Sequence, residues 1–293
     1  MSLVNKKTIL DQMLEKYSVK TENDAKNAIK EVVQEIALYS LSKSSFFKNV
    51  AFYGGTALRI FHGLDRFSED LAFSLLAPNS NFELQEFLPA LKSQVNSFGL
   101  NFEVEQKDKK NKGNIQTAFL KGNTKEHIII FYGEQNVFPN ISKSELIKIK
   151  IEIDINPPDF ASFEIKNRLL PALHQVKLYD MPSLFASKIH AILCRGWQNR
   201  VKGRDLYDYI FYLSKNTNIN MPHLKARLVA SNFIKEDFDL SYDALLQILN
   251  EHFASIDYEQ AKKDVLPFLA NQSKVNLWSG ELFIDLTKDF LKL

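Results

Sequence analysis

Val50-Ala51-Phe52-Tyr53-Gly54-Gly55-Thr56-Ala57-Leu58-Arg59 joins a short apolar run to a glycine pair and then to residues of helical spacing. That is the pattern of a strand, a tight turn and a helix start. Two glycines at such a turn let backbone N–H groups approach a phosphate, and the helix N-terminus that follows favours negative charge. The same pair also suits a plain tight turn. The next segment, Arg66-Phe67-Ser68-Glu69-Asp70-Leu71-Ala72-Phe73, alternates around its carboxylates, which predicts a second strand over Phe67 to Leu75. Asp70 then projects toward the end of the sheet where the glycine turn lies. A carboxylate there suits Mg²⁺, which takes oxygen ligands from one or two carboxylates plus nucleotide phosphates. Read alone, Asp70 is equally a solvated strand residue.

Ile147-Lys148-Ile149-Lys150-Ile151-Glu152-Ile153-Asp154-Ile155 is the most regular stretch of the chain. Strict alternation predicts a strand with one wet face, carrying Lys148, Lys150, Glu152 and Asp154. Glu152, or alternatively Asp154, can join Asp70 if the two strands are neighbours, since two-metal phosphoryl chemistry needs a carboxylate cluster. The bland reading is the polar face of an amphipathic strand.

Around these strands the periodicity predicts two helices between Lys6 and Ser42, with Thr21 and Asp24 as a capping box. A helix over Phe82 to Phe98 and strands at Asn101 to Gln106 and Ile115 to Leu120 follow, the polar run Lys107 to Gly113 forming a hairpin loop. A further apolar segment spans His127 to Tyr132. Beyond about Val176 the pattern is almost wholly helical: Ser183 to Arg195, Lys202 to Ser214, Met221 to Ser231, Tyr242 to Ala254, Tyr258 to Phe268 and Ser279 to Leu291. The expected fold is α+β, a mixed sheet with flanking helices followed by a helical C-terminal domain. N-terminal helices at 1–44, a sheet domain at 45–165 and a helical domain at 166–293 are the expected divisions.

The helical half carries its own constellation. Lys188 and Arg195, seven apart, share a helix face, and Lys202-Gly203-Arg204-Asp205-Leu206-Tyr207-Asp208 opens the next helix with Asp205 and Asp208 on another face. These cations can pair with triphosphate oxygens. Asp205 can cap its helix, orient Lys188 or bind substrate. An interdomain salt bridge among the same charges is the alternative.

Composition bounds the rest. The 293 residues carry 37 basic and 35 acidic side chains, so no global charge argues for a nucleic-acid binder and any basic surface must be local. A single cysteine, Cys194, excludes an internal disulfide framework and fits a reducing cytosol. The first thirty residues lack an apolar run of signal-peptide or membrane length, and Met1-Ser2-Leu3 reads as a cloning remnant. The 23 phenylalanines are spread along the chain, as core residues are.

Together these residues resemble the AbiEii nucleotidyltransferase toxins, the MenT-like group among them, which have the DNA polymerase β type of nucleotidyltransferase fold. The resemblance spans about 45 to 215 and rests on Gly54, Gly55, Thr56, Ala57 and Leu58; on Arg66, Ser68, Glu69 and Asp70; on Lys150 and Glu152; and on Lys188, Arg204 and Asp205. It implies catalytic roles for Asp70, Glu152, Lys188 and Asp205, and nucleotide contacts from Gly54, Gly55, Thr56, Arg66, Ser68, Lys150 and Lys188. It also implies Mg²⁺ or Mn²⁺ on Asp70 and Glu152, with Asp154 as the alternate ligand. The implied reaction moves a nucleotide from an NTP to a hydroxyl of an RNA, in some members the 3′ end of tRNA, in the cytoplasm. A local basic face from Lys188, Arg195, Arg200, Lys202, Arg204 and Lys225 would receive that RNA, and an AbiEi-type antitoxin is expected to be encoded nearby. A small-molecule or protein nucleotidyltransferase, or a non-catalytic NTP-binding protein, are the alternatives.

The sequence departs from the family pattern at Ala72, where a second metal-binding aspartate is expected. A methyl group cannot ligate a metal, so the chain as written is expected to be a weak catalyst or none. Two origins stand: a deliberate inactivating substitution in a toxic protein, or a natural degenerate member. The intact state of the other motif positions favours the first.

Overall fold

The computed structural model describes residues 7–107, 113–134, 141–195 and 201–292. Their contacts divide the chain into two compact units, one from residues 1–56, 68–157 and 165–178, the other from 57–67, 158–164 and 179–293.

The first unit is built on a seven-stranded mixed sheet: β1 (Val50–Tyr53), β2 (Leu71–Leu75), β3 (Glu103–Gln106), β4 (Ile115–Asn123), β5 (Leu146–Asp154), β6 (Phe163–Arg168) and β7 (His174–Tyr179), in the order β3-β4-β5-β2-β1-β7-β6. β2 runs antiparallel to β1 and parallel to β5. In β5 the isoleucines from Ile147 to Ile153 are buried while Lys150, Glu152 and Asp154 keep partial exposure, as the alternation predicts. Among the described residues, α1 (Ile9–Leu14), α2 (Glu22–Ser42), α3 (Phe46–Asn49), α5 (Leu88–Asn96) and α6 (Thr124–Tyr132) belong to this unit. α4 (Gly55–His62) begins in it, and the division falls within that helix after Thr56. α2 starts at the expected capping box, where Thr21 Oγ1 accepts from the Asp24 N–H and Asp24 accepts from the Thr21 N–H. It packs against α5, α6 and β5 through Ala28, Ile29, Val32, Val33 and Ile36, all fully buried.

Two segments differ from the sequence reading. β2 is shorter than Phe67 to Leu75, because Ser68 and Asp70 spend their backbone carbonyls on side chains: Gln34 donates to Ser68 O at 3.1 Å and the Thr56 hydroxyl donates to Asp70 O. The sheet also gains β6 and β7 beyond the strands read from sequence, around the boundary expected between the sheet and the helical half. Most of the expected loop at 107–113 lies outside the described residues.

The second unit is helical: α7 (Met181–Cys194), α8 (Gly203–Ser214), α9 (Met221–Ala230), α10 (Tyr242–Ala254), α11 (Tyr258–Val265) and α12 (Gly280–Phe290). Its core is aromatic. Phe185 stacks on Tyr212 at 4.6 Å between ring centres, and Phe253 contacts Tyr209 at 5.2 Å and Phe283 at 5.3 Å. α8 meets α11 so closely that a Cβ on Gly203 would lie 1.8 Å from the Ala261 carbonyl oxygen, so only glycine fits there.

Candidate active site

In the sheet unit, β1 delivers the chain to Gly54, whose φ of +84° lies in the left-handed region that favours glycine, and α4 begins at the next residue. The register sets Tyr53 opposite Ala72, and Ala72 opposite Glu152. Paired residues on neighbouring strands point to the same face, so the side chain at position 72 stands between Tyr53 and Glu152. It also faces the turn: the Ala72 methyl lies 3.5 Å from where a Gly54 Cβ would be. This row is partly exposed, whereas the next row, Phe52, Phe73 and Ile153, is fully buried.

Asp70 is exposed and stands one residue before β2. The buried Thr56 hydroxyl fixes the segment by donating to the Asp70 carbonyl and pairing with the Ser68 hydroxyl at 2.8 Å. Lys30 pairs with Glu69 at 3.0 Å. α2 thus braces the segment through Lys30 and Gln34, roles that no motif announces. Of the two acidic residues on β5, Glu152 lies level with Ala72 and Asp154 level with Ser74. Asp154 is therefore farther from the Asp70 end by two residues, roughly 7 Å along a strand. Asp154 also accepts from the Asn156 N–H at 3.0 Å, while Glu152 is ion-paired with Lys150.

Asp70 and Glu152 are hard oxygen donors of the kind that holds a divalent cation together with nucleotide phosphates. The methyl group of Ala72 occupies the position between the Gly54 turn and Glu152, so this donor set fits one ion and is short of a carboxylate for two. Among the described residues no cluster of three or more His, Cys, Asp or Glu side chains gathers at metal-binding distance.

The helical unit contains a different arrangement. Lys188 on α7 donates to Asp205 at 2.6 Å and is 2.8 Å from Asp208, both on α8. Arg66 reaches both Asp208 oxygens, Nε to Oδ1 at 2.7 Å and Nη2 to Oδ2 at 2.6 Å, and gives its remaining nitrogen, Nη1, to the Phe67 carbonyl at 2.8 Å. Arg195 closes on the other oxygen of Asp205 at 2.5 Å. Asp208 is fully buried, and Arg66 and Asp205 are nearly so. Burial works against the Arg66 charge, yet the Asp208 carboxylate outweighs it and holds the guanidinium above its ordinary pKa. Burial likewise opposes the Asp205 charge, and Lys188 and Arg195 reverse that and lower its pKa. Three cations against two carboxylates leave the cluster with a positive surplus.

Of the charges expected to form a basic face, Lys188 and Arg195 belong to this cluster, Arg204 is 3.8 Å from Asp264 and lies over the Phe268 ring, and Arg200 is outside the described residues. Sequence reasoning placed Asp208 on a helix face but missed its bidentate hold on Arg66, a partner 142 residues away.

A sequence model of the AbiEii nucleotidyl transferase toxin of type IV toxin–antitoxin systems matches residues 36–280. The chain belongs to the AbiEii family. It is therefore a nucleotidyltransferase, and the matched span contains both the turn-and-carboxylate site and the buried cluster of this AbiEii chain. No curated protein matches it significantly. Among solved structures it is similar to JHP933 from Helicobacter pylori, with 18% identity over 93% of this chain and 95% of the other and a TM-score of 0.47. It is also similar to an antigenic nucleotidyltransferase-like protein from Paracoccidioides brasiliensis, with 17% identity over 73% and 92% and a TM-score of 0.37. Among the described residues of this AbiEii protein no helix is long and apolar enough to cross a membrane.

Proposed function

We propose that this chain is the toxin of an AbiE-like system that moves a nucleotide from an NTP to a hydroxyl of an RNA in the cytoplasm, the 3′ end of tRNA being one such acceptor. The observation that supports this best is the row formed by Tyr53, Ala72 and Glu152 beside the Gly54 turn, with Asp70 one residue before β2. Asp70 and Glu152 would hold Mg²⁺ or Mn²⁺, which when bound neutralises phosphate charge and activates the attacking oxygen. The backbone N–H groups of Gly54, Gly55 and Thr56 and the Ser68 hydroxyl are suited to phosphate oxygens, and Lys150 adds a cation on the same face as Glu152. In the helical unit, Asp205 orients Lys188, and the positive surplus shared with Arg66 and Arg195 suits an anionic group of the NTP or the RNA. The acceptor hydroxyl displaces pyrophosphate at the α-phosphorus. An AbiEi-type antitoxin encoded nearby would be its partner.

With a methyl group at position 72 the chain is a weakened catalyst on this reading. Ala72 itself favours a second reading, a non-catalytic NTP binder. The two separate when the Ala72→Asp variant is incubated with each labelled NTP, Mg²⁺ and total RNA. Label on RNA 3′ ends supports the transferase, whereas NTP binding without transfer to RNA, protein or small molecules supports the binder.

A further inference from the structure

β6 is an edge strand of the sheet, with β7 on one side and no strand among the described residues on the other. Ile165 in β6 is 60% exposed, and Leu169 and Leu173 just beyond it are 75% and 66% exposed. The backbone of an edge strand is a template for strand addition, which soluble proteins usually blunt, and exposed aliphatics in and beside it add apolar surface. β6 carries charges, but their order selects a partner and does not simply repel one. When two copies of Phe163-Glu164-Ile165-Lys166-Asn167 run antiparallel about a two-fold axis through Ile165, each Glu164 stands opposite the Lys166 of the other copy, and Ile165 meets Ile165. Shifting the axis to Asn167 sets Lys166 against Arg168, a like-charge pair that disfavours that register.

We propose that β6 is a homodimerisation edge, where a second copy of this chain adds antiparallel in the register centred on Ile165. The addition continues the seven-stranded sheet from one chain into the next.

The test is sedimentation velocity of the full chain over about a hundredfold range of concentration, because mass action sets the dimer fraction. The dimer forms at the upper end of that range. Glu164→Lys shifts the transition to about tenfold higher concentration, since two cross-strand pairs turn from attractive to repulsive. Adding Lys166→Glu returns it. The double variant is informative because Glu164 also lies 3.4 Å from His62, a contact the second substitution does not restore. Ile165→Lys, checked for unchanged circular dichroism, also abolishes the dimer. A single-chain mass throughout, a dimer indifferent to Glu164→Lys, a double variant as weak as the single one, or association only with a different protein would each overturn the proposal.

Discussion

The carboxylates of Asp70 and Glu152 at the sheet and those of Asp205 and Asp208 on α8 sit in opposite surroundings. In the cluster each carboxylate is buried and answered by two basic side chains. On the sheet Asp70 is exposed and Glu152 is about one-third exposed. Burying charge is costly unless partners are fixed, so the cluster's geometry is determined by the fold itself. Exposed carboxylates cost the fold little by comparison. The contrast separates charges whose partners the fold fixes from carboxylates it leaves partly exposed.

That contrast breaks most visibly in stability. Asp208→Ala leaves Arg66 and Lys188 without a shared buried carboxylate and is expected to cost about 3–5 kcal/mol. Glu152→Gln, at a partly exposed position, is expected to stay within about 0.5 kcal/mol. Urea unfolding of both variants checks this, and equal losses would erase the distinction. A smaller effect concerns acid. Burial lowers the pKa of His190 to about 3, with help from Arg227 and Arg195, so the imidazole is neutral in the folded chain. The unfolded chain takes up that proton below about pH 6.5. A depressed folded pKa means that this stability is complete above pH 6.5 and is lost as pH falls toward 3. His190→Gln should therefore flatten the decline in melting temperature between about pH 6.5 and pH 4. An unchanged slope would show that His190 is already protonated in the fold.

Much of the sheet site is legible in the sequence because its signals are local. The run from Val50 to Tyr53, the glycine turn and the alternation from Ile147 to Asp154 each depend on neighbours within a few residues, and all three appear as read. The extent of β2 was not legible, because Thr56, Gln34 and Lys30 capture residues 68–70 from elsewhere in the chain. β6 and β7 were missed because their short alternation falls where prolines and polar residues suggest a boundary. The Arg66–Asp208 pair joins positions 142 apart, and helical spacing places Asp208 on a face without saying what that face meets. The place of position 72 needed only a pattern and a register: it lies opposite Glu152 and carries a methyl group.

The most direct measurement is the single-turnover rate of nucleotide transfer from labelled NTP to RNA, with Mg²⁺, for the chain as written, for Ala72→Asp, and for Ala72→Asp combined with Glu152→Gln. Restoring a carboxylate opposite Glu152 is expected to raise the rate by several orders of magnitude, each decade corresponding to about 1.4 kcal/mol of transition-state stabilisation. Removing Glu152 should cancel most of that gain on the proposed reading, in which the two carboxylates hold the ions jointly. An Ala72→Asp protein no faster than the chain as written, or one indifferent to Glu152, would contradict the assignment of this row as the catalytic centre.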